Sequence, residues 1–418
     1  MDEVIEIAKK AKTLAPQIAS AGTVLKNRVL SGIAKNLIEY SDDIIRANEK
    51  DMEKSRENGI SESMMDRLRL DRKAIEKIAD SVGEVITLAD PVGEVIFGYN
   101  LPNGLVLKNI RAPFGVIGII YEARPNVTVD AAVLCIKAGS CVILRGSSHA
   151  LSTNIQLCRI MQKALADNGL PPDIIQVVPT TGREDAETLM KLRDYVDLLI
   201  PRGGKSLIDN VVSNSAVPVI ETGAGNCHVY IDSHLEGIHI DTISSIIINS
   251  KTQRPSVCNA AEKLIVHSSI AEAALPAVLD ALAAKNVKIK GCPKTLAIYP
   301  GAEPATEEDW YEEYLDLIIA VKIVDSIQDA VLHINKYGSH HTESIITSDY
   351  NNSLYFTNAC DSSTVFVNAS TRFTDGGQFG MGAEIGISTQ KLHWRGPMGL
   401  EQITTNKFIV LGQGQIRE

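Results

Sequence analysis

The chain of 418 residues has no apolar run long enough to cross a membrane. Stretches such as Val116–Ile120 and Leu198–Ile200 stop far short of the roughly 18 residues that a spanning helix needs. Its start, Met1-Asp2-Glu3-Val4-Ile5-Glu6-Ile7, carries acid where an export signal carries base, so the expectation is a cytoplasmic protein without membrane contact. Positive charge is scarce too: 41 Lys and Arg stand against 51 Asp and Glu, a formal charge of −10. A surface of that sign repels phosphate backbones, which argues against nucleic acid as a partner. The seven cysteines are odd in number and lack CxxC spacing, which disfavours a secreted disulfide framework and a zinc ribbon. A GxGxxG fingerprint is missing after the first strand pattern. A Walker A loop is missing as well: Gly204-Lys205-Ser206 matches its end, but Leu199 stands where its first glycine belongs.

What is present is ordinary globular material, 44% hydrophobic and 22% charged, in a chain long enough for two or three domains. The first 80 residues show helical spacing, as in Val4, Ile7, Ala8 and Ala11 and in Leu30, Ile33, Ala34, Leu37 and Ile38. Two β-type segments flanking Pro102-Asn103-Gly104 predict a hairpin over 94–110. From Gly115 onward short buried-type runs (Val116–Ile120, Cys141–Leu144, Ile174–Val178, Val196–Ile200, Val217–Ile220) alternate with helical spacing, the trace that βαβ units leave. A second series follows, with helices expected at 238–250, 271–284 and 327–335 and strands at 263–267, 295–299, 318–324, 344–347 and 364–367. Two α/β lobes result, with a boundary near Glu221–Asn226. The β-rich tail 402–411 is expected to pair with the hairpin or with another subunit.

Three segments carry candidate chemistry. Gly203-Gly204 lies where a strand meets a helix start, so its amides could approach an anion, or it is an ordinary turn. Cys258 follows a helical stretch, with Lys251 and Arg254 shortly before it to favour a thiolate, although packing is the default for a lone cysteine. The run His333 to Glu343 gathers three histidines and a glutamate. Its spacing is poor for zinc and better suited to a polar pocket wall, so no metal is expected.

Four motifs together resemble one family. They are Gly115 to Asn126 (GVIGIIYEARPN), Gln253 to Ala260 (QRPSVCNA), the 324–345 segment with His333, Tyr337, Gly338, Ser339, His341, Thr342 and Glu343, and Trp394 to Glu401 (WRGPMGLE). Their order and spacing are similar to the gamma-glutamyl phosphate reductases, within the aldehyde dehydrogenase superfamily. The resemblance implies an α/β fold with two Rossmann-like lobes and a small β arm for oligomerisation. The implied domains are a cofactor domain over 1–222, a catalytic domain over 223–395, and an arm made of 94–112 with 396–418. It implies NADPH-dependent reduction of L-glutamate 5-phosphate, a small acyl phosphate, through a cysteine thioester. The second expectation is a related enzyme that oxidises another small aldehyde.

The resemblance also implies roles for particular residues. Cys258 would be the nucleophile and Asn126 an oxyanion donor, while Glu221 falls at the position of a water-activating glutamate that reductive release does not need. Arg145, Ser148, Gly203, Gly204 and Glu313 would bind the cofactor, and the absence of an acid at Ser148 favours the 2′-phosphate of NADPH. Arg124, Arg254, His341, Thr342, Glu343 and Arg372 would bind substrate. Homo-oligomers, and association with the glutamate 5-kinase that supplies the substrate, are the partners so implied.

Overall fold

In the computed structural model, which describes residues 2–60, 62–122 and 124–417, the chain forms two compact units. The first comprises Met1–Thr222, Gly380–Gly386 and Met398–Glu418, and the second comprises Gly223–Phe379 and Ile387–Pro397.

The first unit opens with helices, as the apolar spacing requires. Val4, Ala8, Ala11, Ala15 and Ile18 form one buried stripe along the helix Asp2–Ala19. Further helices follow at Thr23–Glu39, Ser41–Glu57, Glu62–Leu68 and Arg72–Thr87, the last capped by the Asp71 carboxylate, which accepts from the Ala74 N–H at 2.7 Å. The hairpin forms as β1 (Val95–Asn100) and β2 (Val106–Pro113), and the tail strand Thr404–Leu411 pairs antiparallel with β2 in the same chain.

A four-stranded parallel sheet then builds from β3 (Val116–Tyr121), β4 (Cys141–Arg145), β5 (Ile175–Val177) and β6 (Leu198–Arg202), in the order β5-β4-β3-β6. The chain leaves β3 to one side first and later returns to its other side. That places a topological switch between β3 and β6, where α/β sheets bind ligands.

The second unit is a seven-stranded parallel sheet. Its strands are β7 (Cys227–Ile231), β8 (Ala261–His267), β9 (Lys288–Gly291), β10 (Glu303–Pro304), β11 (Ile318–Val324), β12 (Thr342–Ile346) and β13 (Thr364–Val367), in the order β10-β9-β11-β8-β7-β12-β13. β7 and β12 are buried along their whole length, as strands covered on both faces must be. Helices Ile240–Thr252, Ser268–Ala283 and Ile327–Tyr337 connect them.

Several expectations differ from what forms. Residues 295–299 are not a strand: Pro293 starts the helix Pro293–Ile298, its fixed φ suiting the first turn, and a short apolar run alone does not separate the two states. Residues 217–220 make only a single bridge, Leu199 with Val219, because Pro218 has no N–H to donate to a ladder. The helix Pro125–Lys137 lacks a sequence signal because nearly all of it is buried, which removes the polar face that periodicity detects. The segment Gly380–Gly386, expected with the second domain, belongs to the first unit, where Gly382 packs on Leu88 and Gly386 on Arg202 and Thr222. No helix among the described residues is long and apolar enough to cross a membrane.

One buried ion pair ties the first helices to the sheet layer. Lys26, fully buried, reaches Asp90 at 3.0 Å and the Lys137 carbonyl at 3.1 Å. Removing one partner strands the other charge out of water. Lys26→Ala should therefore cost about 3–5 kcal/mol in urea unfolding, whereas Lys26→Met combined with Asp90→Leu should recover most of that loss; equal losses in both proteins would refute this account.

Candidate active site

In the second unit the polar residues gather at the amino ends of β7, β8 and β12. Cys258 lies in the loop between the helix Ile240–Thr252 and β8, and it is half-buried while the other six cysteines are buried. The ends of this loop are tied by Lys251 and Glu262, both fully buried, through an ion pair of 2.8 Å. Burial pushes the Glu262 carboxyl up to about 7, against the pull of Lys251 and Lys263.

The Cys258 backbone is held closely. A Cβ on Gly225 would overlap the Cys258 carbonyl, so only glycine permits this approach. The Gly225 N–H donates to the Glu313 carboxylate at 2.6 Å, and the buried Cys227 thiol donates to the Cys258 carbonyl at 3.1 Å. Burial raises both Glu313 and Cys227, the latter strongly. Asn259 donates from Nδ2 to the Thr374 carbonyl at 2.8 Å and the Arg372 carbonyl at 3.4 Å.

Arg372 lies within electrostatic range of Cys258, and Arg254 within range of Arg372. Arg372 donates from Nε to Gln253 Oε1 at 2.9 Å; burial lowers it, and Cys258 opposes that. Arg254 is exposed. This combination favours a thiolate and attracts anions.

His341, Thr342 and Glu343, expected to touch substrate, are fully buried and bonded within the unit. The Thr342 hydroxyl donates to Thr374 Oγ1 at 3.0 Å, and His341 Nδ1 is 2.8 Å from Thr342 Oγ1 and 3.7 Å from Cys227 Sγ. Burial lowers His341 to about 4, which leaves the imidazole neutral near pH 7. Glu343 Oε2 accepts from the His228 N–H at 2.8 Å and lies 3.0 Å from His228 Nδ1, and Ser362 donates to its Oε1 at 3.1 Å. Burial drives Glu343 and His228 alike toward their neutral forms. Parallel register explains the pairing, since Glu343 sits opposite His228. All three are enclosed, and their hydrogen bonds run to other groups of the second unit. Among the described residues no group of three or more His, Cys, Asp or Glu could hold a metal.

In the first unit the paired ends of β3 and β6 bring Glu122 beside Gly203 and Gly204, with Arg124 and Asn126 following at the start of the next helix. Arg124 is exposed at the cap of the helix Pro125–Lys137, and Asn126 donates to Asp130 Oδ2 at 3.0 Å. Gly204 precedes the helix Lys205–Asn214, and its N–H donates to Glu122 at 3.0 Å; a Cβ on Gly203 would come within 2.6 Å of the Glu122 carboxyl carbon. Arg145, at the end of β4, donates to the Gly182 carbonyl at 2.9 Å. Its Nε and the Ser147 hydroxyl are buried without a partner among the described residues. Ser148 is exposed beside them. Glu221 is half-buried, with its carboxyl raised by burial and by Asp209.

The Aldehyde dehydrogenase family model matches residues 1–296. The gamma-glutamyl phosphate reductase of Caldicellulosiruptor bescii is 54% identical over 422 residues, covering all of both chains. The chain belongs to the gamma-glutamyl phosphate reductases of the aldehyde dehydrogenase family. The crystal structure of that enzyme from Thermotoga maritima, 47% identical, superposes with a TM-score of 0.97 over all of both chains. An engineered glycolyl-CoA reductase with bound NADP⁺, 17% identical, shares the fold with a TM-score of 0.69, covering 98% of this chain and 96% of its own.

For a gamma-glutamyl phosphate reductase, then, the residues that sequence reasoning passed over are Gly225, Cys227, Gln253 and Asn259. Gln253 and Asn259 lie inside the recognised motif, but the acceptors of Asn259 are 113 and 115 positions away and the donor to Gln253 is 119 positions away. Gly225 was visible only as a break between lobes. Gly225→Ala should destabilise the protein by about 1–3 kcal/mol in thermal unfolding and lower turnover roughly a hundredfold by displacing Cys258; a variant with unchanged turnover would show that the contact is dispensable.

Proposed function

We propose that Cys258 is the nucleophile in NADPH-dependent reduction of L-glutamate 5-phosphate to L-glutamate 5-semialdehyde and phosphate, the second step of proline biosynthesis from glutamate. The observation that carries this assignment is a half-buried cysteine whose backbone is braced on several sides, with the Arg372 guanidinium within electrostatic range of it. The Cys258 sulfur attacks the acyl carbon, the carbon–oxygen bond to phosphate breaks, and a thioester remains on the enzyme. The reduced nicotinamide supplies hydride to that carbon when bound. The carbon–sulfur bond then breaks, the aldehyde leaves and the thiolate is restored.

Negative charge grows on the carbonyl oxygen in both additions, and the Cys258 amide and Asn126 are the assigned donors. Arg124, Arg254 and Arg372 are assigned to the substrate's phosphate and carboxylate, for which planar guanidinium forks are suited. His341, Thr342 and Glu343 are reassigned to framework, because they are enclosed. Glu221 serves the site without acting as a water-activating base.

The cofactor assignment rests on the first unit. The glycine turn at the β3/β6 switch suits a close approach by an anion, and the partnerless Arg145 Nε and Ser147 hydroxyl are donors awaiting one. Arg145, Ser148, Gly203 and Gly204 hold NADPH in this assignment. Glu313, bonded to Gly225, serves the nicotinamide ribose and the nucleophile turn together. Residues 1–222 act as the cofactor domain and 223–395 as the catalytic domain. The arm, 94–112 with 396–418, joins copies of the chain: all six β1 residues are exposed, and Val95, Phe97, Tyr99, Phe408 and Val410 leave an apolar surface.

Turnover is measured in reverse, with semialdehyde, NADP⁺ and phosphate. NADPH should form only when phosphate is present, and Cys258→Ala should lower the rate about a thousandfold or more while NADPH binding, read by fluorescence, persists. Oxidation that proceeds equally well without phosphate would overturn the assignment.

A further inference from the structure

The nucleophile loop is strapped at three places to one short segment more than 110 residues later. Its near end is held where the Ser250 hydroxyl donates to Ser370 Oγ at 3.0 Å and accepts from the Thr371 N–H at 3.2 Å. Its middle is held by Gln253, which accepts from Arg372 Nε at 2.9 Å. Its far end is held by Asn259, directly after Cys258, through the Thr374 and Arg372 carbonyls. The segment is anchored in turn by Thr342, whose hydroxyl donates to Thr374 Oγ1. A short turn needs none of these contacts to form. Their convergence on the residues around one sulfur calls for a reason.

We propose that the 370–374 turn is the positioning element of the nucleophile: Asn259 fixes the Cys258 backbone, and Gln253 orients the Arg372 guanidinium so that its charge holds the sulfur in its reactive ionised form. This rests on Cys258 being the nucleophile, and it gives Arg372 a task in the free enzyme, before any substrate arrives. The bonds between Gln253 and the Arg372 side chain and from Asn259 to the Arg372 carbonyl hold this residue against the loop on either side of Cys258, and a guanidinium there favours an ionised sulfur.

Several other groups packed around the loop are held neutral, are paired, or carry the opposing sign. On the strand side, Cys227, Glu343 and His341 are buried and held toward their neutral forms. Behind Gly225, Glu313 is raised by burial, and a carboxylate there would oppose a thiolate. Lys251 and Glu262 satisfy each other at 2.8 Å, and Asp375 acts on Arg372 from its far side in the chain. Arg254 adds positive charge, but it is exposed and therefore screened.

The test is the pH dependence of Cys258 alkylation by iodoacetamide in the full-length enzyme without substrate, with Cys258→Ala giving the background from the six buried cysteines. The wild-type midpoint should lie below the roughly 8.5 of an unperturbed thiol. Arg372→Gln should raise it by about one pH unit or more, Arg372→Lys should keep most of the wild-type value, and Gln253→Met, at an exposed position, should raise it part of the way. In steady-state assays Arg372→Gln should lower kcat together with kcat/KM. If the Arg372→Gln alkylation profile superimposes on wild type while KM alone rises, Arg372 only binds substrate and the proposal is wrong. Should Cys258→Ala retain turnover, the assigned reaction fails, while the alkylation profiles still decide whether the turn controls the sulfur.

Discussion

At Gly225 a backbone turn lies so close to the Cys258 carbonyl that no side chain fits between them. Much of the second unit is organised by that approach. Glu313 must accept the Gly225 N–H, Asn226 must bridge the Trp310 and Tyr337 carbonyls, and Cys227 must turn its thiol to the Cys258 carbonyl. Each of these groups is buried or nearly so, so an unmade bond would leave a polar atom in low dielectric. The Cys258 loop is thereby held by its main chain, and none of these contacts uses the Cys258 sulfur.

A second layer of buried polar groups supports the first. His228 and Glu343 face one another on β7 and β12, Lys263 lies opposite His228 on β8, and Lys251 with Glu262 closes the ends of the loop. Burial makes several of them neutral, so they act as hydrogen-bonding struts whose geometry is specific without leaving isolated charge. Arg254, exposed, and Arg372, half-buried, add positive charge beside this largely neutral framework, which suits the anionic substrate proposed above.

The first unit solves a different problem. Its sheet switch point exposes a glycine turn and a helix start, and Glu122 accepts from the Gly204 N–H. A carboxylate there satisfies an amide that a helix N-terminus leaves without an intrahelical partner. The partnerless Arg145 Nε and Ser147 hydroxyl at the neighbouring strand end mark where further acceptors are expected.

The helical lead-in, the hairpin and most strands of both lobes were legible in the chain, because 3.6-residue and two-residue periodicities record which face is buried, and Cys258 stood out because the motif around it is contiguous. The helix Pro125–Lys137 and the helix at 293–298 were not, since burial on all sides erases the first pattern and a short apolar run fits either state. The family and the two-lobed α/β organisation could be read from the chain alone, and Cys258 could be singled out as the candidate nucleophile. The tertiary structure alone decided that His341, Thr342 and Glu343 are enclosed, that Gly225 touches Cys258, and that Gln253 and Asn259 reach a turn more than 110 residues away. Such facts depend on strand order and register, which place distant positions side by side, and no local pattern of residues encodes that proximity.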